Sequence, residues 1–378
     1  MSIYILSERN LVSSVSHDPL YELEELILQT CNGHLLAPMP RDITRWAGDV
    51  PAPVGKYTHK LLECTIGSYK PRRLILPKEP NVLLMVALCG ANLSLLSSIP
   101  QWRQQFDVVA AYVFDAWSPE IYPKLTGQLD RLFVPMPEII DLLRRQLKVP
   151  VSLLPFGADA LGQGSGRCDR PIDLMSYGRI PKADHTAFLS AFNHPNSDRL
   201  YYRSTPRQGE FFPRDLYAQR RDSEDTALLY HLLRKSKLTL AYDTLQPGMR
   251  QFPHSFVTLR WFQGGAAGCA IVGKRPTTPL ADELLDWEEA TIELPDDPQH
   301  SVDCIQDLLQ DTRRLEAIHQ RNYLQNLRRH DWRLRIRDLL MELQVPLPEP
   351  LVEQIAALKT KHRQPSQVSE KVLSEDQR

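Results

Sequence analysis

The stretch Ser255–Pro276, SFVTLRWFQGGAAGCAIVGKRP, places three glycines near the end of a predicted helix and follows them at once with a short apolar run. Glycine inside a helix costs about 1 kcal/mol relative to alanine, so Gly264, Gly265 and Gly268 need a physical reason. We expect Gly268 to end the helix in a left-handed conformation and the other two to let a neighbouring element approach closely. The run CAIVG is typical of a buried strand in a parallel sheet.

Apolar runs alternate with helical patterns on both sides of this stretch. The run NVLLMVAL (81–88) is typical of a strand covered on both faces, and the segment PEIIDLLRRQL (137–147) has a proline and acids in its first turn, as a helix does. The predicted strands lie at 2–6, 81–88, 107–115, 131–136 and 149–159 in the first half, and at 172–178, 199–205, 237–243, 269–273 and 290–294 in the second. Strands that alternate with helices favour parallel sheets with right-handed crossovers.

Two runs of this rhythm, in a chain of 378 residues, predict an α/β protein with two Rossmann-like domains facing a central cleft. The expected segments are a first domain at 1–158, a linker at 159–170, a second domain at 171–325, helices at 326–345 that cross back to the first domain, and a polar, disordered tail at 359–378. The linker and the tail are expected from their glycines and from their scarcity of apolar residues.

The composition narrows the class of protein. A formal net charge of −1 argues against a nucleic-acid-binding protein, which usually has a basic excess. The six cysteines show no paired spacing, so we expect reduced thiols and a cytoplasmic location. The amino-terminal segment MSIYILSERN is not typical of a signal peptide, and the longest apolar window (81–100) is interrupted by polar residues, so no transmembrane segment is expected.

Four motifs follow one another in the second half: PFGAD (155–159), SYGRIPK (176–182), TLRWFQGGAAGCAIVG (258–273) and RRHDWRLRIRDLL (328–340). Taken in order over about residues 151–342, they resemble the donor domain of GT-B glycosyltransferases of group 1. The resemblance implies transfer of a sugar from a nucleotide diphosphate sugar to a glycan, a lipid or another small-molecule acceptor, with no obligatory metal or cofactor. It leaves open a peripheral association with membranes.

The resemblance also implies a donor site. Gly178 and Arg179 resemble the family's diphosphate-binding turn, and Lys182 stands near the place of its phosphate-binding lysine. Ser255 is expected to start the helix whose amides meet the phosphates, with Thr258 and Arg260 in the same region. The alternatives are that Arg179 forms an ion pair with an acidic residue at the surface and that Ser255 only caps the helix.

Two positions depart from the family pattern. Gln263 and Ser255 stand where the family usually has two glutamates. This difference keeps two other functions open: a catalytically inactive GT-B protein used for binding or scaffolding, and a nucleotide-sugar isomerase.

Three further residues are candidates on topological grounds. Asp115 follows a predicted strand of the first half and is a candidate base for the acceptor hydroxyl, with helix capping as the alternative. His185 and His254 are expected near the cleft. The sequence contains no metal-binding motif such as HExxH or DxD.

Overall fold

The computed structural model of the chain describes residues 1–11, 17–39, 70, 74–203, 224–249 and 252–363. The contacts among these residues divide them into two compact units. The first contains the described part of 1–155 together with 224–226 and Leu339–Pro350, and the second contains the remaining described residues.

The first unit is built on a six-stranded sheet whose neighbouring strands all run parallel, in the order β2-β1-β3-β4-β5-β6. The strands are β1 (Ser2–Leu6), β2 (His34–Leu36), β3 (Asn81–Cys89), β4 (Val108–Asp115), β5 (Arg131–Val134) and β6 (Val151–Leu153). The sequence did not predict β2, because this edge strand has three residues of which two are exposed, so it shows no apolar run.

Helices α1 (Asp18–Thr30), α2 (Trp102–Gln105) and α3 (Ile140–Leu147) alternate with these strands, together with 3-10 turns at Gly90–Ser98, Pro119–Ile121, Lys124–Gln128 and Pro137–Ile139. Helix α1 has a proline in its first turn and buries Leu20, Leu23 and Ile27. These positions recur every three to four residues, so they form one apolar face toward the sheet.

The second unit is built on a five-stranded parallel sheet in the order β11-β10-β9-β7-β8. Its strands are β7 (Ile172–Ser176), β8 (Tyr201–Arg203), β9 (Ser236–Tyr242), β10 (Ala270–Lys274) and β11 (Ile292–Glu293). The predicted class, two Rossmann-like α/β domains, is therefore confirmed.

The remaining helices are α4 (Ala160–Gln163), α5 (Lys182–Phe192), α6 (Glu224–Leu233), α7 (Leu259–Ala266), α8 (Pro279–Leu284), α9 (Pro298–Gln310), α10 (Thr312–Arg329), α11 (Trp332–Glu342) and α12 (Glu349–Arg363). Apolar side chains of the second sheet, of α5 and of α9 form one continuous core.

The structure gives the expected physical reasons for a glycine at Gly264, Gly265 and Gly268. A Cβ at Gly264 would lie 2.7 Å from the methyl group of Thr239 on β9, and one at Gly265 would overlap with the Asn326 amide on α10. Gly268 follows the last turn of α7 with φ +76°, where an L side chain is strained. The helix therefore packs unusually closely on its neighbours and stops before β10.

The segment 159–170, expected as a linker, is anchored inside the second unit. Asp159 caps the short helix α4, and Arg170 is buried while its guanidinium donates to backbone carbonyls that include those of Ser236 and Ala267, both at 2.8 Å. The expectation failed because polar contacts, such as those of Arg170 and the ion pair of Asp159 with Arg333, hold the segment in place where an apolar run would have been visible in the sequence.

The motifs PFGAD and HDW pack against each other within the second unit. The Ala158 amide donates to the His330 carbonyl, and the Trp332 amide donates to the Ala158 carbonyl, both at 3.0 Å. A Cβ at Gly157 would lie 2.8 Å from the His330 oxygen, so this glycine lets the two backbones meet. This pairing gives both motifs a structural role.

The expected polar tail begins later than predicted. Helix α12 continues to Arg363, so residues 359–363 are helical, and residues 364–378 lie outside the described residues. The reason is an apolar stripe of Leu351, Ile355 and Leu358 at helical spacing, all buried, which the polar composition concealed.

Two buried histidines make stability depend on pH. His330 accepts a hydrogen bond from Arg335 on Nδ1 and donates from Nε2 to the Leu284 carbonyl, an arrangement that only the neutral ring permits. Burial lowers the pKa of His330 and of His319 to about 3 each. Their unfolded pKa is about 6.5, so the unfolded state binds more protons between these values. We expect the free energy of unfolding to fall by about 2 kcal/mol per histidine between pH 7 and pH 5, measured by urea unfolding.

The variants His319→Gln and His330→Gln should each flatten this dependence, whereas His231→Gln, an exposed position on α6, should keep the parent's pH profile. Glu24 in the first unit has the opposite effect on stability. Burial raises its pKa to about 7, so below that pH the folded state binds more protons than the unfolded state, and Glu24 increases the free energy of unfolding as the pH falls toward 4.5. An unchanged profile in both buried-histidine variants would contradict the prediction.

Candidate functional site

The carboxyl edge of the second sheet brings Gly178, Arg179 and Arg260 together. Gly178 and Arg179 lie shortly after the end of β7, and both are exposed. Arg260 lies in the first turn of α7, and a Cβ on Gly178 would lie 3.0 Å from its Nη1. Ligands of open parallel sheets usually bind at this edge.

Arg260 ties this turn to the neighbouring strand end. Its Nη1 donates to the Arg179 carbonyl and its Nη2 to the Tyr242 carbonyl, both at 3.1 Å. The Tyr177 hydroxyl donates in return to the Arg260 carbonyl at 3.2 Å. The first turn of α7 is thus fixed against the strands β7 and β9.

The Arg260 charge has no carboxylate partner among the residues that the structure describes, and its buried Nε has no hydrogen-bond acceptor there. Burial lowers the pKa of Arg260 to about 10, the Tyr177 hydroxyl counteracts this, and the neighbouring Arg179 lowers it further. The group remains a cation at neutral pH. An anion at this edge would therefore be stabilised electrostatically.

The Arg179 guanidinium lies over the ring of Phe252, 4.0 Å from its centroid. A cation over an aromatic face is held there without being neutralised. The exposed guanidinium is therefore oriented at the same edge as Arg260.

Helix α7 begins at Leu259, with Thr258 as its N-cap, and not at Ser255 as expected. The Ser255 hydroxyl instead donates to the Asp243 carboxylate, 2.8 and 2.9 Å from its two oxygens, so it does not cap the helix. The Thr258 Oγ1 is buried and has no hydrogen-bond partner within the described part of the chain. The anion-attracting helix end is therefore at Thr258.

Gln263, which stands where the family usually has a glutamate, is 3% exposed. Its Nε2 is buried without a partner among the described residues. The helix turns this amide toward the protein interior, while Arg260 stays at the edge.

Lys182 and His185 are both on α5. The Lys182 side chain lines a surface groove of about 870 Å³ between α5 and α9, whose lining includes neither Arg179 nor Arg260. The His185 ring lies 3.0 Å from the Tyr201 hydroxyl, and burial lowers its pKa. The His254 carbonyl accepts from the Thr244 hydroxyl at 2.6 Å. The His185 side chain therefore has a structural partner, the contact at His254 involves only its backbone, and the Lys182 side chain is exposed.

Asp115 lies at the carboxyl end of β4 in the first unit, paired in register with Cys89 on β3. The adjoining strand end contributes Glu8, whose carboxylate accepts from Asn92 at 2.9 Å. Polar side chains therefore gather at this sheet edge as well.

Asp243 and Phe252 are site residues that sequence reasoning missed. Asp243 follows β9 in the run KLTLAYD, the same position relative to a strand as the turn after β7, and this signal could have identified it. Phe252 offered no such signal, because its role depends on the stacking of Arg179.

Within the described residues, no group of three His, Cys, Asp or Glu side chains is arranged to hold a metal ion. No helix there is long and apolar enough to cross a membrane. The five cysteines that the structure describes are free thiols.

Comparisons with known proteins agree with this architecture. Residues 203–341 match the family model described as glycosyl transferase-like. The fold is similar to that of Anabaena HepE in complex with UDP-glucose, at 11% identity and a TM-score of 0.50, covering 91% of this chain and 99% of that chain. It is also similar to OtsA in its apo form, at 12% identity and a TM-score of 0.51, covering 92% and 100%. No curated protein matches the sequence. The chain therefore has a two-domain α/β fold of the GT-B type, and its residues 203–341 are similar to glycosyl transferases.

Proposed function

We propose that this protein transfers a sugar from a nucleotide diphosphate sugar to an acceptor, with the diphosphate bound at the carboxyl edge of the second sheet. The observation that carries the proposal is the Arg260 charge beside Arg179, which has no carboxylate partner among the described residues. A fixed positive charge at a strand edge attracts an anion.

Each group has a role in this proposal. Arg179 contacts the phosphates, Arg260 supplies fixed positive charge, and the first amides of α7 with the Thr258 hydroxyl donate to phosphate oxygens. The departing diphosphate gains negative charge as the glycosidic bond to it breaks. Donors that are already in place stabilise this charge without reorganising, and no metal ion is required. Asp243 is suited to accept from sugar hydroxyls.

The acceptor side is proposed at the carboxyl edge of the first sheet, with Asp115 as the base that takes the proton of the acceptor hydroxyl. A glycan, a lipid or another small molecule with a hydroxyl group fits this chemistry. We also propose that the enzyme acts in the cytoplasm.

One observation favours a second function, nucleotide-sugar binding without transfer. Gln263 is buried and uncharged where the family has a glutamate, so no carboxylate at this position can bind a ribose or a sugar. Slow hydrolysis of isotope-labelled donor without acceptor would favour the enzyme. Binding without any hydrolysis would favour the second function.

Thermal unfolding with nucleoside diphosphates tests the donor site. UDP is the first choice, because HepE, with a similar fold, binds UDP-glucose. A ligand at a hundred times its dissociation constant should stabilise the protein by about 2.7 kcal/mol. We expect Arg179→Ala to lose most of this stabilisation, because it removes a cation exposed at the site.

Lys182→Ala is the matched control, since Lys182 is also an exposed cation of the second unit but lies in the groove between α5 and α9. It should keep the parent's response. Equal responses of Arg179→Ala and the parent protein would remove Arg179 from the site.

A further inference from the structure

A cluster of polar side chains lies at the carboxyl edge of the first sheet, around the end of β3. Glu8 follows β1 and is 2% exposed. Its Oε2 accepts a hydrogen bond from the Asn92 side chain at 2.9 Å and lies 3.0 Å from the His17 Nε2. Its Oε1 is also buried and has no hydrogen-bond partner among the described residues. One oxygen of this carboxylate is therefore fixed, while the other lacks a donor.

The Tyr122 hydroxyl is a second buried group of this cluster, and it too has no partner within the described part of the chain. Its ring packs against the backbone of Gly90, directly after β3, where an added Cβ would overlap with the ring. Burial raises the pKa of Tyr122, so the hydroxyl stays neutral and its oxygen can accept a hydrogen bond.

The cluster is acidic. Asp115 ends β4 in register with Cys89. Burial raises the pKa of the Cys89 thiol, and the charges of Glu8 and Asp115 raise it further, so both carboxylates lie within electrostatic reach of this thiol. Glu8 has no arginine or lysine partner among the described residues, because the neighbouring Arg9 donates instead to Glu24 at 3.0 Å.

Cys89, Asn92 and Asp115 are half-buried, so the cluster borders solvent. We propose that it binds a protonated primary amine of the acceptor, which makes the acceptor an amino sugar or another polyol that carries an amine. This assignment rests on the proposed function, which assigns the acceptor to this edge.

The ammonium group fits the cluster in charge and in hydrogen bonding. A buried carboxylate without a fixed cation is unfavourable, and an ammonium group supplies the missing charge. It has three N–H donors and no acceptor, so it can donate both to the Glu8 Oε1 and to the Tyr122 oxygen. A neutral hydroxyl would supply a donor but would leave the negative charge of Glu8 uncompensated.

Ligand-observed NMR titrations of the full-length protein test this inference. The probes are methyl 6-amino-6-deoxyglucoside and its neutral and acidic analogues, methyl glucoside and methyl glucuronide. We expect the amine to bind about tenfold more tightly than the neutral glycoside, because its hydrogen bond to Glu8 is charge-assisted, and the acidic analogue to bind most weakly.

Two variants address the cluster directly. Glu8→Gln should remove the preference for the amine, because it keeps the shape of the side chain and removes its charge. Tyr122→Phe should weaken binding of the amine about tenfold and leave folding intact, because it removes only a hydroxyl that has no partner among the described residues. Circular dichroism verifies the folding of both variants.

The matched control is Glu79→Gln, which removes an exposed carboxylate just before β3, at the amino edge of the same sheet. It should keep the parent's preference for the amine. Equal binding of the amine and the neutral glycoside by the parent, or an equal loss of preference in Glu79→Gln and Glu8→Gln, would overturn the inference. Thermal stabilisation by UDP, measured on the same samples, separates the two proposals. A response to UDP without a preference for the amine contradicts this inference alone, whereas no response to UDP contradicts the proposed function.

Discussion

Replacing Arg333 with methionine is expected to lower the free energy of unfolding of the second unit by about 3–5 kcal/mol at pH 7. The Arg333 guanidinium is buried, and its Nη1 lies 2.7 Å from Asp159 and 3.0 Å from Asp331. Burial already raises the pKa of Asp331, and Arg333 counteracts this. Without the arginine, two carboxylates that are almost fully buried would lose their counter-ion. Urea unfolding of the variant measures the loss.

The difference between variant and parent should shrink as pH falls from 7, because burial raises the pKa of Asp331 and its protonation removes the unpaired charge. Arg328→Met is the control: it removes an exposed arginine one helix earlier and should change stability by less than about 0.5 kcal/mol. A loss below about 1 kcal/mol in Arg333→Met would show that water, rather than the arginine, solvates the two carboxylates.

Replacing Gly273 with alanine is expected to abolish folding of the second unit. Gly273 has φ +146°, and its added Cβ would overlap with the Ala241 carbonyl oxygen on β9, the adjacent strand. A clash with the backbone of a central strand cannot be relieved by a side-chain rotation. Because β10 pairs with both β9 and β11, the strand cannot shift without losing sheet hydrogen bonds. Soluble yield and the near-ultraviolet circular dichroism spectrum measure the outcome.

Gly248→Ala separates backbone strain from this clash. Gly248 also has a positive φ of +80°, but its added Cβ would make only an ordinary contact of 3.8 Å with Pro181. It should cost about 1–2 kcal/mol, the strain of a left-handed L residue, and leave the protein folded. A folded Gly273→Ala protein with a similar loss would mean that the strand accommodates the side chain.

The motifs that suggested the family divide into two kinds. PFGAD and HDW are joined by backbone hydrogen bonds in the second unit, and Arg333 forms ion pairs with the aspartate of each motif, Asp159 and Asp331. The SYGRIPK turn and the start of α7 carry the cations of the candidate donor site. A family resemblance alone does not distinguish these roles, because it compares residue types and not the contacts that the side chains make.

Most predicted strands were found with errors of one or two residues at their ends, because buried parallel strands are continuous apolar runs in the local sequence. The strand predicted at 149–159 was much too long, since β6 contains only Val151–Leu153. The helix at Leu259–Ala266 was found too, but its start was misplaced. Ser255 is an ordinary capping residue by type, and only the folded chain shows that Asp243 engages its hydroxyl. Phe252 was missed for the same reason, whereas the position of Asp243 at the end of β9 was a signal that the sequence did carry.

By itself, the sequence determined the two parallel sheets, the left-handed stop at Gly268 and the presence of a glycine and an arginine after β7. These features depend on side-chain polarity and backbone freedom over a few consecutive residues. Tertiary structure alone decided that Arg260 bridges two strand ends without a carboxylate partner among the described residues, that Gln263 faces inward and that Arg170 anchors the supposed linker. Each of these depends on which carbonyls and carboxylates from distant segments surround the side chain, and that is settled only when the chain is packed.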